Sequence, residues 1–188
     1  MEDSISSFIL VIATIVIGII LVGIAAFYAS TQYNTTTIQT QAENIANGLY
    51  IAIGSNASVA NGQNVFVVIN DFAYHGQLYF TAFYVQSVLK NSTSEISPLF
   101  AYMQNGQIVY PGVEVGNSVP NSTFATQLYD INLNLLYQGS PVTLWETPPL
   151  TSPVEISLTI SPPQGYSTIL LLFAHIQNKY VEVGYVWV

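Results

Sequence analysis

The chain has 188 residues, 51% of them hydrophobic and only 6% charged, where an ordinary soluble domain runs near a quarter charged. Lys90 and Lys179 stand against ten acids for a formal net charge of −8, which excludes the clustered basic footprint of a nucleic-acid binder and a polybasic attraction to anionic lipid. The absence of cysteine excludes disulfides, thiolate catalysis, zinc ribbons and iron–sulfur clusters.

The first element is the longest apolar run, Phe8 to Tyr28, FILVIATIVIGIILVGIAAFY, interrupted only by Thr14, Gly18 and Gly23. At a helical rise of about 1.5 Å this run spans about 30 Å, the thickness of a bilayer core. It has no polar face, so its surroundings must be apolar on every side, either lipid or a bundle of identical helices. Small residues recur four apart at Thr14/Gly18, Ala25/Ala29 and Ala26/Ser30, a spacing that lets helices approach closely. Small residues are also simply common in membrane helices, so both readings stand. Met1-Glu2-Asp3 carries no positive charge and the run is long, which argues against a cleaved secretory signal.

Helical spacing continues through Ile38, Ala42, Ile45 and Leu49, with Gly54 as the expected stop. Thr35-Thr36-Thr37 is a β-branched run of poor helix propensity. The sequence therefore predicts one helix from about Asp3 to Tyr50, weak or locally melted near Asn34 to Thr37.

From Gly54 the pattern changes to short apolar stretches between Gly, Pro, Asn and Ser. Strands are predicted at Val65–Asn70, Gln77–Val85, Leu99–Gln104, Gln107–Tyr110, Phe124–Tyr137, Val142–Glu146, Val154–Ile160, Thr168–Gln177 and Tyr180–Val188. Asn105-Gly106 is the strongest hairpin signal, because both central residues of such a turn need positive φ. Asn178-Lys179 is expected to close a second hairpin. Val154, Ile156, Leu158 and Ile160 alternate with polar residues, as in a half-buried strand. Val181, Val183, Tyr185 and Trp187 are expected on one face of the last strand. Pro148-Pro149, Pro153 and Pro162-Pro163 fall between strands, where proline breaks no ladder bond. The fold class is α+β: a long N-terminal hydrophobic helix, residues 1–53, followed by an antiparallel, loosely immunoglobulin-like β-sandwich, residues 54–188.

Chemistry is sparse. His75 and His175 have no second ligand at a recognisable spacing, and a histidine satisfied by a backbone bond is the expected role of each. The acids are scattered singly, and there is no nucleophile elbow, phosphate loop or dinucleotide fingerprint. No catalytic residue, cofactor or metal is expected, although folding could still assemble a Ser–His–Asp set that sequence does not reveal. Four N-glycosylation sequons start at Asn34, Asn56, Asn91 and Asn121. A chain rich in Asn, Ser and Thr makes sequons by chance, yet the set favours an extracytoplasmic domain. With few carboxylates to hold in ion pairs, acid is expected to destabilise the fold only weakly.

A long helix, apolar over Ser4 to Tyr28, continued to about Tyr50 and joined to a Thr/Ser/Asn/Tyr-rich sandwich with sequons, resembles the archaeal type IV pilin and archaellin superfamily, whose members carry class III signal peptides. The resemblance covers the whole chain in architecture. Members carry a short basic leader cut just before the apolar helix; here either the numbering starts at the mature end or the N-terminus is an uncleaved anchor. The resemblance implies a structural filament subunit, an adhesion pilus rather than an archaellum, drawn from the cytoplasmic membrane to the cell surface. Its partners would be copies of itself, with surface or surface-layer contact and no nucleic acid. Phe8, Thr14, Gly18, Gly23, Ala25, Ala26 and Ala29 would pack helices together, and Glu2 or Asp3 would stand in for the acidic docking residue of bacterial relatives. The alternative is an anchored accessory protein resembling archaellum stator components. Its sandwich would bind the surface layer or a partner around Tyr79, Tyr84 or Trp145.

Overall fold

The computed structural model describes the backbone of all residues except Met1, Ser55, Asn56, Ala60, Asn61 and 92–95, and additionally leaves the side chains of residues 2–7, Val59 and Asn91 undescribed. The architecture is α+β, one long helix and mostly antiparallel strands. The chain divides into two compact units, Met1–Ile38 and Gln39–Val188.

Helix α1 runs unbroken from Glu2 to Gly48. The weakness expected near Asn34 to Thr37 is absent. The hydroxyls of Thr31, Thr35 and Thr37 donate to the carbonyls of Phe27, Thr31 and Tyr33, four residues back, at 2.8–3.0 Å. Threonine's propensity penalty is only tenths of a kcal/mol per residue, too small to melt the middle of a long helix.

The helix also ends earlier than the spacing predicts. Gly48 is its last residue, and Leu49–Ile53 forms strand β1, paired antiparallel with Val67–Asp71. Gly48 is forced by packing: a Cβ there would lie 2.5 Å from Oδ1 of the buried Asp71. That oxygen is not free to move away, because it accepts the backbone N–H groups of Ala73 and Tyr74 at 2.8 Å each. Within the second unit, Ala42 and Ile45 on the last turns of α1 are buried, and Gln39 donates to the Asn132 carbonyl at 2.9 Å.

The strands after β1 are β2 (Ala57–Val59), β3 (Gly62–Asp71), β4 (Tyr79–Gln86), β5 (Met103–Gln104), β6 (Gln107–Ile108), β7 (Gly112–Val115), β8 (Ser122–Tyr129), β9 (Leu135–Glu146), β10 (Val154–Ile160), β11 (Tyr166–Ile176) and β12 (Lys179–Trp187). They divide between two main sheets. One is open, in the order β1-β3-β10-β7, with β2 beside β3; β4, β8, β9, β11 and β12 close into a barrel in the order β11-β12-β8-β9-β4. The ring closes through one parallel bridge, Val181 to Tyr129.

Closure follows from irregular strands. The register of β8 against β9 shifts between Ala125 and Gln127 and again between Leu128 and Tyr129. Bulges of this kind curl a sheet, and the break in the sequence at Gly139-Ser140-Pro141 is therefore a bulge inside β9 rather than a loop. Tyr137 folds over it, its hydroxyl donating to the Ser140 carbonyl at 2.7 Å. The predicted strand Phe124–Tyr137 is split instead at Asp130. This buried carboxylate accepts the backbone N–H of Asn134 at 2.6 Å and its side-chain amide at 2.8 Å, while Leu133 takes a positive φ of 63°.

Strand β10 alternates as predicted, with Val154, Ile156, Leu158 and Ile160 buried. Strands β4 and β11 are buried on both faces. Phe83, Val85, Ile169, Leu171 and Phe173 belong to the barrel core, and the intervening Phe80, Ala82, Leu170 and Leu172 are buried as well. The Asn105-Gly106 turn joins β5 to β6 with φ of 52° and 77°. The last hairpin turns at Gln177-Asn178, one residue earlier than predicted, and both take positive φ. Strand β12 also departs from simple alternation. A bulge between Gly184 and Glu182 flips the phase, so Trp187 packs on the barrel core while Val181 and Val183 lie outside that cluster and Tyr185 is exposed. Gly184 is the residue at this bulge whose missing Cβ leaves room for Leu49 and Ile51.

Candidate functional site

The first candidate is the helix surface. From Phe8 to Asn34 every residue of α1 is exposed, and Phe8 to Tyr28 presents only apolar or small side chains around the full circumference. The segment is long and apolar enough to cross a membrane. At 3.6 residues per turn, Thr14, Gly18, Ala25 and Ala29 fall within about 60° of one another, while Phe8, Ala26 and Gly23 lie about 60–180° round from them. The four thus form a shallow seam between ridges of Ile, Leu and Val. A Cβ at Gly18 or Gly23 would meet nothing within 4 Å, so neither glycine is required by contacts inside the chain. Thr14 satisfies its hydroxyl on the Leu10 carbonyl at 2.8 Å, which lets it sit in an apolar seam without an unpaired donor.

The side chains of Glu2 and Asp3 lie outside the described residues, as do Asn56 and the side chain of Asn91. Asn34 is exposed on the helix, and Asn121 is exposed immediately before β8.

The aromatic face expected for a binding module is not presented. Tyr84 is 4% exposed; it sits in the doubly buried β4, and its hydroxyl accepts the Ser161 N–H at 3.1 Å. Trp145 is half-buried between Phe80 and Tyr110, with ring centroids at 5.8 and 5.3 Å. Tyr79 is half-buried against His175 and Tyr180 at 5.9 and 5.2 Å. A strand with apolar residues on both faces turns its aromatics into the core, and period-two reasoning from one sequence does not reveal which strands are central.

His75 donates through Nδ1 to the Leu150 carbonyl at 3.3 Å. His175 is exposed and stacks on Tyr180, ring centroids 4.7 Å apart. Among the described residues no three His, Asp or Glu side chains converge as a metal set would.

A second candidate lies wholly within Gln39–Val188: an open cleft of about 530 Å³ between the last turns of α1, the turn after β3 and the β11–β12 hairpin. Gln41, Asn44 and Ile45 line it from the helix, Tyr74 from the turn, and His175 and Gln177 from the hairpin. Tyr74 is fixed in place. Its backbone N–H binds Asp71 Oδ1, its hydroxyl donates to the Gln77 carbonyl at 3.1 Å, and its ring covers Gly76, where any Cβ would collide with it. Burial, then the nearby Asp71 carboxylate, raise the Tyr74 pKa above its usual value. Burial likewise raises Tyr79, reinforced by Glu146, Tyr180 and Tyr74, and raises Tyr137, reinforced by Tyr110. No local sequence pattern announces this cleft. Its only trace was the amide pair Gln41 and Asn44, three apart on the polar side of the second helical stretch.

Comparison of the chain with protein-family models, characterised proteins and solved structures returns no match.

Proposed function

We propose that this chain is the structural subunit of an archaeal type IV pilus-like cell-surface filament, an adhesion pilus rather than an archaellum. In this reading the apolar helices bundle into the filament core, the β-rich units lie outside as a sandwich-like sheath, and each subunit resides in the cytoplasmic membrane before assembly. The observation that carries it is the uninterrupted helix exposing apolar residues around its whole circumference from Phe8 to Tyr28. Moving a large apolar side chain out of water is worth about 1.5–3 kcal/mol. Over this segment the sum reaches tens of kcal/mol, several times the net stability of a domain. Such a helix requires lipid or sister helices around it, and the small-residue seam at Thr14, Gly18, Ala25 and Ala29 supports close packing of the latter kind. Glycans at the exposed Asn34 and Asn121 belong to the same reading.

Electron microscopy of sheared surface appendages, with intact mass and N-terminal sequencing of their main protein, tests the proposal. The expected result is thin filaments built mainly from this chain, with mass unaccounted for by the polypeptide reporting modification. Retention of the chain in the membrane fraction, with none in sheared material, would overturn it in favour of an anchored accessory protein.

A further inference from the structure

We infer that the cleft between the end of α1, the β3–β4 turn and the β11–β12 hairpin binds a neutral, hydroxyl-rich ligand, a hexose or N-acetylhexosamine unit. This site is separate from the filament reading and does not depend on it. At about 530 Å³ the cleft falls within the range of small-ligand sites. No charged side chain lines it, in a chain whose net charge of −8 already disfavours anions. What it offers instead are three amides, Gln41, Asn44 and Gln177, and the imidazole of His175. Each amide carries both donors and acceptors, and so matches a hydroxyl, which is also both. None of the three amides makes a hydrogen bond to another described residue. Ile45 and the Tyr74 ring supply the apolar surface on which the C–H face of a pyranose can lie.

Preorganisation strengthens the case. Tyr74 is locked by Asp71, Gln77 and Gly76, and His175 is held by stacking on Tyr180 and edge contact with Tyr79. Gln177 sits at a turn position with φ of 45°, a conformation non-glycine residues adopt rarely, and lines the cleft from the hairpin. Three separate elements thus bring fixed aromatic and uncommitted amide groups to one concavity, which limits the ordering cost of binding.

The test uses the full chain in lauryldimethylamine oxide micelles, since a maltoside detergent would itself compete. Saturation-transfer NMR is run with methyl glucoside, methyl mannoside, N-acetylglucosamine and, as a charged control, glucuronate, each at millimolar concentration. Transfer to at least one neutral sugar and not to glucuronate is expected. His175→Phe, which keeps the ring on Tyr180 and removes both nitrogens, and Gln41→Leu, at an exposed helix position, should each reduce transfer about fivefold or more. Material with and without N-glycans separates the two sources of such a ligand. Transfer in both means a free sugar; transfer only in the unglycosylated chain means that a glycan of another copy occupies the cleft. No transfer to any neutral sugar in unglycosylated protein, or wild-type transfer in both variants, would overturn the inference.

Discussion

Replacing Ile19 by lysine probes the apolar helix at its most sensitive point. The run Phe8 to Tyr28 is centred on Gly18, so Ile19 lies about 1.5 Å along the axis from the midplane, and its side chain is 68% exposed. An insertion scale places isoleucine at about −0.3 to −0.6 kcal/mol and lysine at about +2.5 to +3.5 kcal/mol at the helix centre. The difference of about 3–4 kcal/mol corresponds to a hundred- to a thousandfold loss of insertion. A helix bundle would impose a further penalty, because a buried ammonium without a partner is costlier still. Gln32→Lys is the matched control: it carries the same charge at an exposed helix position beyond the apolar run and leaves the Asn34 sequon intact. The expected outcome for Ile19→Lys is loss of filaments in sheared fractions, with the near-UV circular dichroism of the detergent-solubilised chain unchanged. Gln32→Lys should assemble at wild-type yield. Normal filaments from Ile19→Lys would refute the reasoning, since no continuous apolar environment could then surround the helix.

Further predictions concern the unit Gln39–Val188. Asp71→Ala strands the backbone N–H groups of Ala73 and Tyr74 and should cost about 2–4 kcal/mol, whereas Asp71→Asn keeps an acceptor and should cost about 1 kcal/mol or less. Gly48→Ala drives a methyl into Asp71 Oδ1, so in urea titrations the double variant Gly48→Ala/Asp71→Ala should be less destabilised than the sum of the singles; strict additivity would show that the two positions are uncoupled. Thr81 and Thr168 bury hydroxyls without a partner among the described residues, so Thr81→Val and Thr168→Val should each raise stability by about 1 kcal/mol, and a loss of that size would contradict the assignment. Tyr74, Tyr79 and Tyr137 have pKa values raised in the folded chain. Their contribution is therefore complete below the unfolded value near pH 10 and is lost as pH rises through the raised values. Thermal melts should fall above about pH 10, with a late-titrating tyrosine fraction at 295 nm that shrinks in Tyr74→Phe; simultaneous titration of every tyrosine would show the opposite.

Much of the secondary structure was legible in the sequence because it depends on local periodicity and turn chemistry. Val154–Ile160 declared itself by strict alternation, and Asn105-Gly106 by its tolerance of positive φ. Three of the departures arise because pairing partners are distant in sequence. Leu49–Ile53 continues a helical spacing and becomes a strand because β3 offers it a ladder and Asp71 crowds Gly48. Gly112–Val115 is too short to be noticed until β10 pairs with it. The expected face of Tyr79, Tyr84 and Trp145 is not presented because β4, which carries both tyrosines, is covered on both sides, and Trp145 on β9 is packed between Phe80 and Tyr110, facts of sheet order rather than of strand pattern.

The apolar helix was determined by the sequence alone: a 21-residue run without charge dictates its own conformation and excludes water as its environment, because both effects are local sums over consecutive residues. The closed ring β11-β12-β8-β9-β4, the cleft beside Tyr74 and the burial of Asp71 were decided only by tertiary structure. Each brings together residues tens of positions apart, through strand pairings and packing contacts whose partners no short stretch of sequence contains.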